Sequence, residues 1–296
     1  MHSVEPPLVR RYRGDRLRLG LRSLYIVPTR FGLLWLLATA LLHLVAIQQR
    51  SNGTLLLSFL LLGLMLLAMH LTHDNLHGLE LRCARPDPGF AAQAVTYPLR
   101  LHSRGPRQRL RLQFAGGEPL ELETLPGGET AVDLAWSPQR RGLHRPGRLH
   151  IETIAPLGLF VCWGRWEPSQ DQLILPARRP GPVAEQDPPS RQDGLEEWQD
   201  LKPHRTGERL ALVDWPSLAK GRPLQTKQFS DPADRHHLLR PAPGVEREQA
   251  LEHLADRIWR LHQRGETYGL QLAGQTLEPQ RGLQHRDACL MALALA

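Results

Sequence analysis

Three histidines at helical spacing are the residues of this chain best suited to hold a metal ion. His70, His73 and His77 follow one another at intervals of three and four residues, so a helix would carry their imidazoles on one face. Imidazole nitrogens in such an arrangement are zinc ligands. A polar turn at the end of an apolar helix gives the same spacing, and we favour that interpretation. We interpret the pair His236-His237 as the beginning of a strand.

Nucleophilic and phosphate-binding motifs are missing from the sequence. It contains no P-loop, no Gly-x-Ser-x-Gly elbow and no His-Glu-x-x-His pair. Cys83, Cys162 and Cys289 have neither paired spacing nor a supporting His and Asp context. We therefore expect no enzymatic activity, no cofactor and no metal site, and we expect the cysteines to lie in a reducing compartment.

Two apolar runs near the N-terminus predict a transmembrane helical hairpin over residues 31–71. Residues 31–47 contain only Thr39 and His43 as polar members, and residues 54–69 contain only Thr54 and Ser58. A spanning helix needs about 17 to 25 mostly apolar residues, and both runs lie at the short end of that range. The polar residues 48–53 between them predict a tight turn. The alternatives are a buried helical hairpin in a soluble protein and a cleaved signal peptide, and the second apolar run argues against the latter.

The arginines near this hairpin predict its orientation. Residues 1–30 hold seven Arg, and their net charge of +5 accounts for most of the chain's +7. The inter-helix turn carries only Arg50. Because positively charged segments stay in the cytoplasm, we expect residues 1–30 to form a cytoplasmic basic arm and both termini to be cytoplasmic. The remainder of the chain is nearly neutral, so we expect no nucleic-acid partner.

Downstream of the hairpin the hydrophobic period changes to two, which indicates strands. Leu110, Leu112 and Phe114, for example, alternate with polar residues, and Gly- and Pro-rich turns separate about eight such segments. Residues 79–177 therefore predict an antiparallel β-sandwich of immunoglobulin-like type. Residues 178–190 are rich in proline and predict a stiff linker. Residues 191–296 predict a small α/β domain, with helices over residues 246–264 and 285–295.

Several motifs in order resemble the domain-of-unknown-function-58 family of bacterial proteins. Arg141-Gly142 followed by residues 155–160, Ala-Pro-Leu-Gly-Leu-Phe, resembles one family signature. The segments 194–198, 205–208, 213–215, 219–220 and 227–229 resemble its central motif, and residues 75–79 match the layout at the hairpin's end. The resemblance runs from about residue 25 to the C-terminus.

The resemblance implies an α+β multidomain membrane protein of the bacterial inner membrane. It would combine the hairpin and sandwich with a truncated domain of von Willebrand factor A type. The implied partners are a MoxR-type AAA+ ATPase and a transglutaminase-like membrane protein. Glu208 departs from the family's usual Asp, and the cation-binding Asp-x-Ser-x-Ser found in some members is missing after the strand at 236–239.

These features favour a non-enzymatic, membrane-anchored adaptor that binds protein partners in the cytoplasm. The alternatives are a divalent-cation-dependent adhesion module and a hydrolase or transglutaminase-like enzyme. Residues 194–229 concentrate charged and aromatic groups in an irregular stretch, where partner binding is common. Its candidate partner-binding residues are Trp198, Arg205, Glu208, Arg209, Asp214, Trp215 and Lys227.

Overall fold

The computed structural model of the chain describes residues 12–186, 197–203, 225–230 and 236–296. The chain divides into two units, Met1–Ile174 and Leu175–Ala296, each with its own internal contacts. The first unit contains two long helices and most of the strands.

The two helices of the first unit match the predicted hairpin. Helix α1 is Arg30–Gln48 and helix α2 is Asn52–Leu76, and the side chains of Thr29 and Ser51 cap their N-terminal ends. Both are long and apolar enough to cross a membrane. Only 17% of the most apolar window of each is buried, whereas a core hairpin of a soluble protein would be largely enclosed.

Thirteen strands form the β portion of the first unit among its described residues. Their bounds are β1 Arg13–Gly14, β2 Arg16–Arg18, β3 Leu24–Pro28, β4 Glu80–Cys83, β5 Gly89–Phe90, β6 Val95–Ser103, β7 Arg107–Phe114, β8 Leu120–Leu125, β9 Gly128–Trp136, β10 Gly142–His144, β11 Leu149–Thr153, β12 Phe160–Pro168 and β13 Gln172–Leu175.

Two of the sheets face each other across an apolar core. One sheet has the order β1-β12-β11-β7-β8, with β3 also paired to β12, and the other has the order β2-β4-β6-β9. A third, small sheet has the order β10-β13-β5. The Tyr97 and Phe114 rings, from β6 and β7, meet edge to face with 5.6 Å between centroids. The predicted alternation of Leu110, Leu112 and Phe114 is confirmed, since all three are buried.

The basic arm predicted over residues 1–30 needs a correction for residues 13–28. These residues form β1, β2 and β3, which pair with β12 and β4 of the two large sheets. Leu19 and Leu24 are buried in the core. Strands of two, three and five residues are too short to show a clear alternation of apolar and polar residues. Their exposed arginines also make this segment look polar throughout.

The second unit contains a four-stranded sheet with two helices. Its elements are β14 Val183–Gln186, β15 Glu197–Pro203, β16 Gln225–Ser230, β17 His236–Pro241, α3 Arg247–Gln263, β18 Thr267–Leu272, β19 Gln275–Gln280 and α4 Leu283–Leu295. The sheet order is β14-β17-β18-β19, and α3 connects the parallel strands β17 and β18. Both predicted helices are confirmed, whereas β14 lies inside the segment predicted as a linker.

Candidate functional site

The candidate site begins where the N-terminal end of α1 contacts the sandwich, at Thr29. We call this contact, between Thr29 and Gly32 of the helix end and residues 156–160 of the loop, the seat of α1. The Thr29 hydroxyl donates to the carbonyl oxygen of Gly158 at 2.7 Å and accepts from the backbone N–H of Gly32 at 3.0 Å. The Thr29 backbone N–H donates to the Leu159 carbonyl at 2.9 Å. One residue therefore caps the helix and bonds it to the loop between β11 and β12.

Gly32 has no side chain, which allows the backbone of α1 to contact the backbone of the loop directly. A Cβ added at Gly32 would lie 2.0 Å from the carbonyl oxygen of Leu159. Any larger residue would have to displace the loop, which turns through Gly158 at a φ of +69°. The Pro-Leu-Gly-Leu-Phe signature, residues 156–160, thus forms the surface on which α1 sits.

An apolar cluster continues this seat across both helices. Met65 and Ala68 of α2 pack with Leu159 and Phe160, and Ile26 and Trp35 pack against the same group. Further along α2, Thr72 and Leu76 are also buried. The buried positions 65, 68, 72 and 76 form one stripe at helical spacing, so one face of the last three turns of α2 packs against the sandwich, while Leu66 and Leu67 on the other face stay exposed.

The C-terminal end of α2 is held by polar contacts to β7 and β11. The Asn75 side-chain amide donates to the Gln108 carbonyl and to the Thr153 hydroxyl, both at 2.7 Å, and its oxygen accepts from the Gln108 N–H at 3.0 Å. Arg107 donates to the backbone carbonyls of Asp74 and His77. The Asp74 carbonyl is one of the last four of the helix, which lack intrahelical partners, and His77 is the residue that caps its C-terminal end.

The hairpin is therefore an insertion between two strands of one β unit. Strand β3 leads directly into α1, and α2 leads into β4. Strand β3 pairs with β12, and β4 pairs with β2 and β6. Both ends of the hairpin are thereby fixed to the same folded body.

Within the hairpin, four side chains form hydrogen bonds to the neighbouring helix or to the backbone of their own helix. Thr39 donates to the Trp35 carbonyl at 2.8 Å, and Ser58 lies 2.9 Å from Nδ1 of His43. The Trp35 indole N–H donates to the Leu61 carbonyl of α2 at 3.3 Å.

The histidines singled out in the sequence do not come together as a ligand set. The His73 and His77 rings stack with 5.3 Å between centroids, and His70 is exposed. Among the described residues, no group of three or more His, Cys, Asp or Glu side chains is placed to hold a metal ion.

His237 lies in a charged cluster at the N-terminal ends of β17 and β18. Its Nε2 is 2.8 Å from a Glu266 carboxylate oxygen, and its Nδ1 is 3.3 Å from one of Glu185. Burial raises the pKa of Glu185, but the hydrogen bond from Arg257 and the nearby charges outweigh burial and hold it below its ordinary value. Ligands of α/β sheets bind at the carboxyl ends of strands, so this cluster at the opposite end is structural.

The cysteine thiols have the environment of structural side chains. Burial raises the pKa of Cys162 to about 11 and that of Cys289 to about 12. Burial also raises the pKa of Cys83, and the hydrogen bond from Tyr97 only partly opposes this. A reactive cysteine has a lowered pKa, so none of the three is set up as a nucleophile.

The predicted partner-binding stretch is described only in part. Trp198 lies in β15 and Lys227 in β16, and these strands pair antiparallel with Trp198 opposite Phe229. The remaining candidates, Arg205, Glu208, Arg209, Asp214 and Trp215, lie outside the described residues.

Comparison with known proteins adds no relative. No protein-family model matches the chain, and no curated protein matches it significantly.

Proposed function

We propose that the protein is a non-enzymatic, membrane-anchored adaptor with its β-sandwich against the cytoplasmic face of a bacterial inner membrane. The observation that carries the proposal is the insertion of an apolar hairpin into a single β unit. Such a hairpin makes a membrane anchor that cannot move independently of the domain it carries, because one of its ends is bonded to the loop between β11 and β12 and the other to β7 and β11.

The strand pairing supports a common side for both ends of the hairpin. Strand β2 precedes the helices and β4 follows them, yet the two strands pair from Arg16 to Arg18. If the helices cross a bilayer, the chain must therefore return to the side on which it began. The arginines of residues 1–30 favour the cytoplasm as that side, so the proposal has both termini in the cytoplasm.

The finer architecture is part of the proposal. The resemblance to the domain-of-unknown-function-58 family suggests an immunoglobulin-like sandwich and a truncated von Willebrand factor A-like domain in the second unit. The α/β order of β17, α3 and β18 is compatible with the latter. The raised thiol pKa values support an adaptor over a cysteine hydrolase or transglutaminase-like enzyme.

The expected partner is a MoxR-type AAA+ ATPase, and a transglutaminase-like membrane protein is a second. We place the partner surface on residues 194–229. Tryptophan and arginine are common interface anchors, and the sequence of this stretch contains both. The lipid bilayer is the remaining partner.

Topology is tested by reporter fusions to the full chain. Alkaline phosphatase inserted after residue 52 should be active, because the turn faces the periplasm, whereas the enzyme fused to the C-terminus should be inactive. Activity at the C-terminus, or a chain that alkaline carbonate extracts from membranes, would refute the membrane arrangement.

Partner binding is tested by co-purification from a detergent extract. The tagged full chain should retain the ATPase, and the pair Arg205→Ala with Arg209→Ala should reduce its recovery several-fold. The matched control is Arg104→Ala with Arg140→Ala, two exposed arginines of the first unit, which should leave recovery unchanged. Equal recovery with both pairs, or none with the unaltered chain, would contradict the proposed partner surface.

A further inference from the structure

A groove of about 390 Å³ opens between α1 and α2. Its walls are almost entirely apolar, and its only titratable group is His43. It is lined by Leu36, Thr39, Ala40, His43, Leu44, Ser58, Phe59 and Leu62. A volume of this size is typical of a small-molecule site, which usually combines apolar walls with a few placed polar groups.

The hydroxyl groups of the groove are already engaged with backbone carbonyls. Thr39 donates its hydroxyl proton to the Trp35 carbonyl at 2.8 Å. Ser58 donates to the Leu55 carbonyl at 2.7 Å, and Ser58 is almost fully buried. A carbonyl oxygen can only accept, so each hydroxyl has given its single proton to its own helix.

This arrangement assigns the protonation of the His43 ring. Its Nδ1 lies 2.9 Å from the Ser58 oxygen, which has no proton left to donate in that direction. With the Ser58 proton on the Leu55 carbonyl, Nδ1 of His43 is the donor of this pair, and Nε2 of the neutral ring is left as an acceptor. The ring also meets Phe59 edge to face with 5.3 Å between centroids. Among the described residues, Nε2 has no hydrogen-bond donor.

We propose that the groove binds a membrane-dissolved lipid alcohol or phenol whose hydroxyl donates to Nε2 of His43. This inference rests on the proposed membrane insertion of the hairpin. In hydrocarbon no water is present to satisfy Nε2, and an unpaired polar group there is costly. A hydroxyl-bearing lipid supplies the missing donor and fills the apolar groove with its chain or ring.

The shape of the groove favours a small ligand over a transmembrane helix. Its lining on α1 extends from Leu36 to Leu44, about 12 Å at 1.5 Å per residue, whereas α1 spans 19 residues. A helix packed alongside the hairpin would need a continuous groove over most of that length. The groove instead ends within about two turns of helix.

Photolabelling of the full chain in proteoliposomes tests this site. The probe is a hexadecanol that carries a diazirine, and its methyl ether serves as the matched probe without a hydroxyl donor. The alcohol should label peptides of the groove about three- to tenfold more than the ether, the range expected for one hydrogen bond within a membrane. The variant His43→Phe should reduce labelling by the alcohol to the level of the ether.

Two variants in which an alanine of α1 is replaced by phenylalanine control for changes elsewhere in the hairpin. Ala40→Phe fills the groove without altering His43 and should block labelling, whereas Ala38→Phe lies outside the lining and should not. Equal labelling by both probes, labelling unchanged in His43→Phe, or a cross-linked dimer in place of lipid labelling would overturn the inference. Flotation of each variant with vesicles reports separately on insertion, so a chain that fails to float contradicts the proposed function.

Discussion

Replacing Gly32 by alanine should unseat α1 from the sandwich. The added Cβ would lie 2.0 Å from the Leu159 carbonyl oxygen, whereas ordinary contact begins near 3.4 Å, so the loop or the helix must move by about 1.4 Å. A shift of that size would stretch the 2.9 Å bond from the Thr29 N–H to Leu159 beyond hydrogen-bonding range.

The expected cost follows from these contacts. Overpacking against backbone costs about 1–3 kcal/mol, and each of the two Thr29 bonds to the loop contributes about 1 kcal/mol. The better helix propensity of alanine offsets about 1 kcal/mol. The free energy of unfolding should therefore fall by about 2–4 kcal/mol, which lowers the Tm of a domain of this size by roughly 4–16 °C.

The assay is thermal unfolding of the full chain in detergent, followed by tryptophan fluorescence. Gly63→Ala is the matched control, because a Cβ at Gly63 of α2 meets nothing within 4 Å. It should leave the Tm unchanged or raise it slightly. If Gly32→Ala and Gly63→Ala have the same Tm, the contact between α1 and the loop contributes nothing to stability. The inference that this contact fixes α1 to the sandwich would then be wrong.

Three further predictions follow from other contacts of the chain. A fragment that begins at residue 77 should be insoluble, because it lacks β1–β3 and the buried end of α2, and a soluble fragment with a cooperative melt would contradict this fold. Asn75→Ala should lower the free energy of unfolding by about 1–3 kcal/mol, because it removes three hydrogen bonds to Gln108 and Thr153. Asp74→Ala, whose side chain makes no such bonds, should change it by less than about 0.5 kcal/mol, and equal urea midpoints would refute the role of Asn75. Burial raises the pKa of the Cys162 thiol from 9.0 to about 11, so the stability that the buried neutral thiol contributes is present below pH 9 and is lost as pH rises towards 11. Urea unfolding between pH 8 and pH 11 measures this loss of stability. If a Cys162→Ala chain shows the same pH dependence, Cys162 is not its source.

The hairpin could be predicted from sequence because its signal is local. Two runs of apolar residues separated by a polar turn need no information about the rest of the chain. The extension of α2 to Leu76 was less visible, since residues 70–77 look polar. Thr72 and Asn75 are nevertheless buried or bonded, because strands that come later in the sequence supply their surroundings.

The contacts between the hairpin and the sandwich could not be predicted from the sequence, because they join residues that are far apart along the chain. Thr29 stands before an apolar run, as a helix cap should, and this signal could have placed the beginning of α1 one residue more accurately. The approach of Gly32 to Leu159 joins residues far apart in the sequence, so spacing alone could not show it. The signature at residues 156–160 could be recognised in the sequence only as a motif. The structure shows why these residues are needed, since their loop contacts Thr29 and Gly32 at the beginning of α1.

The insertion of the hairpin also imposes an order of events on biosynthesis. The strands β1–β3 leave the ribosome first, but the partner of Thr29 at Leu159 lies 130 residues later. At about 5–20 residues per second, β1 and β3 wait roughly 7–26 s for their partner β12 to be made, whereas β2 pairs with the earlier strand β4. In the proposed membrane arrangement the two helices are synthesised during that interval, so they enter the bilayer before the sandwich can close. Closure of the sandwich then fixes a hairpin that is already inserted, and until that moment β1 and β3 lack their partner strand β12.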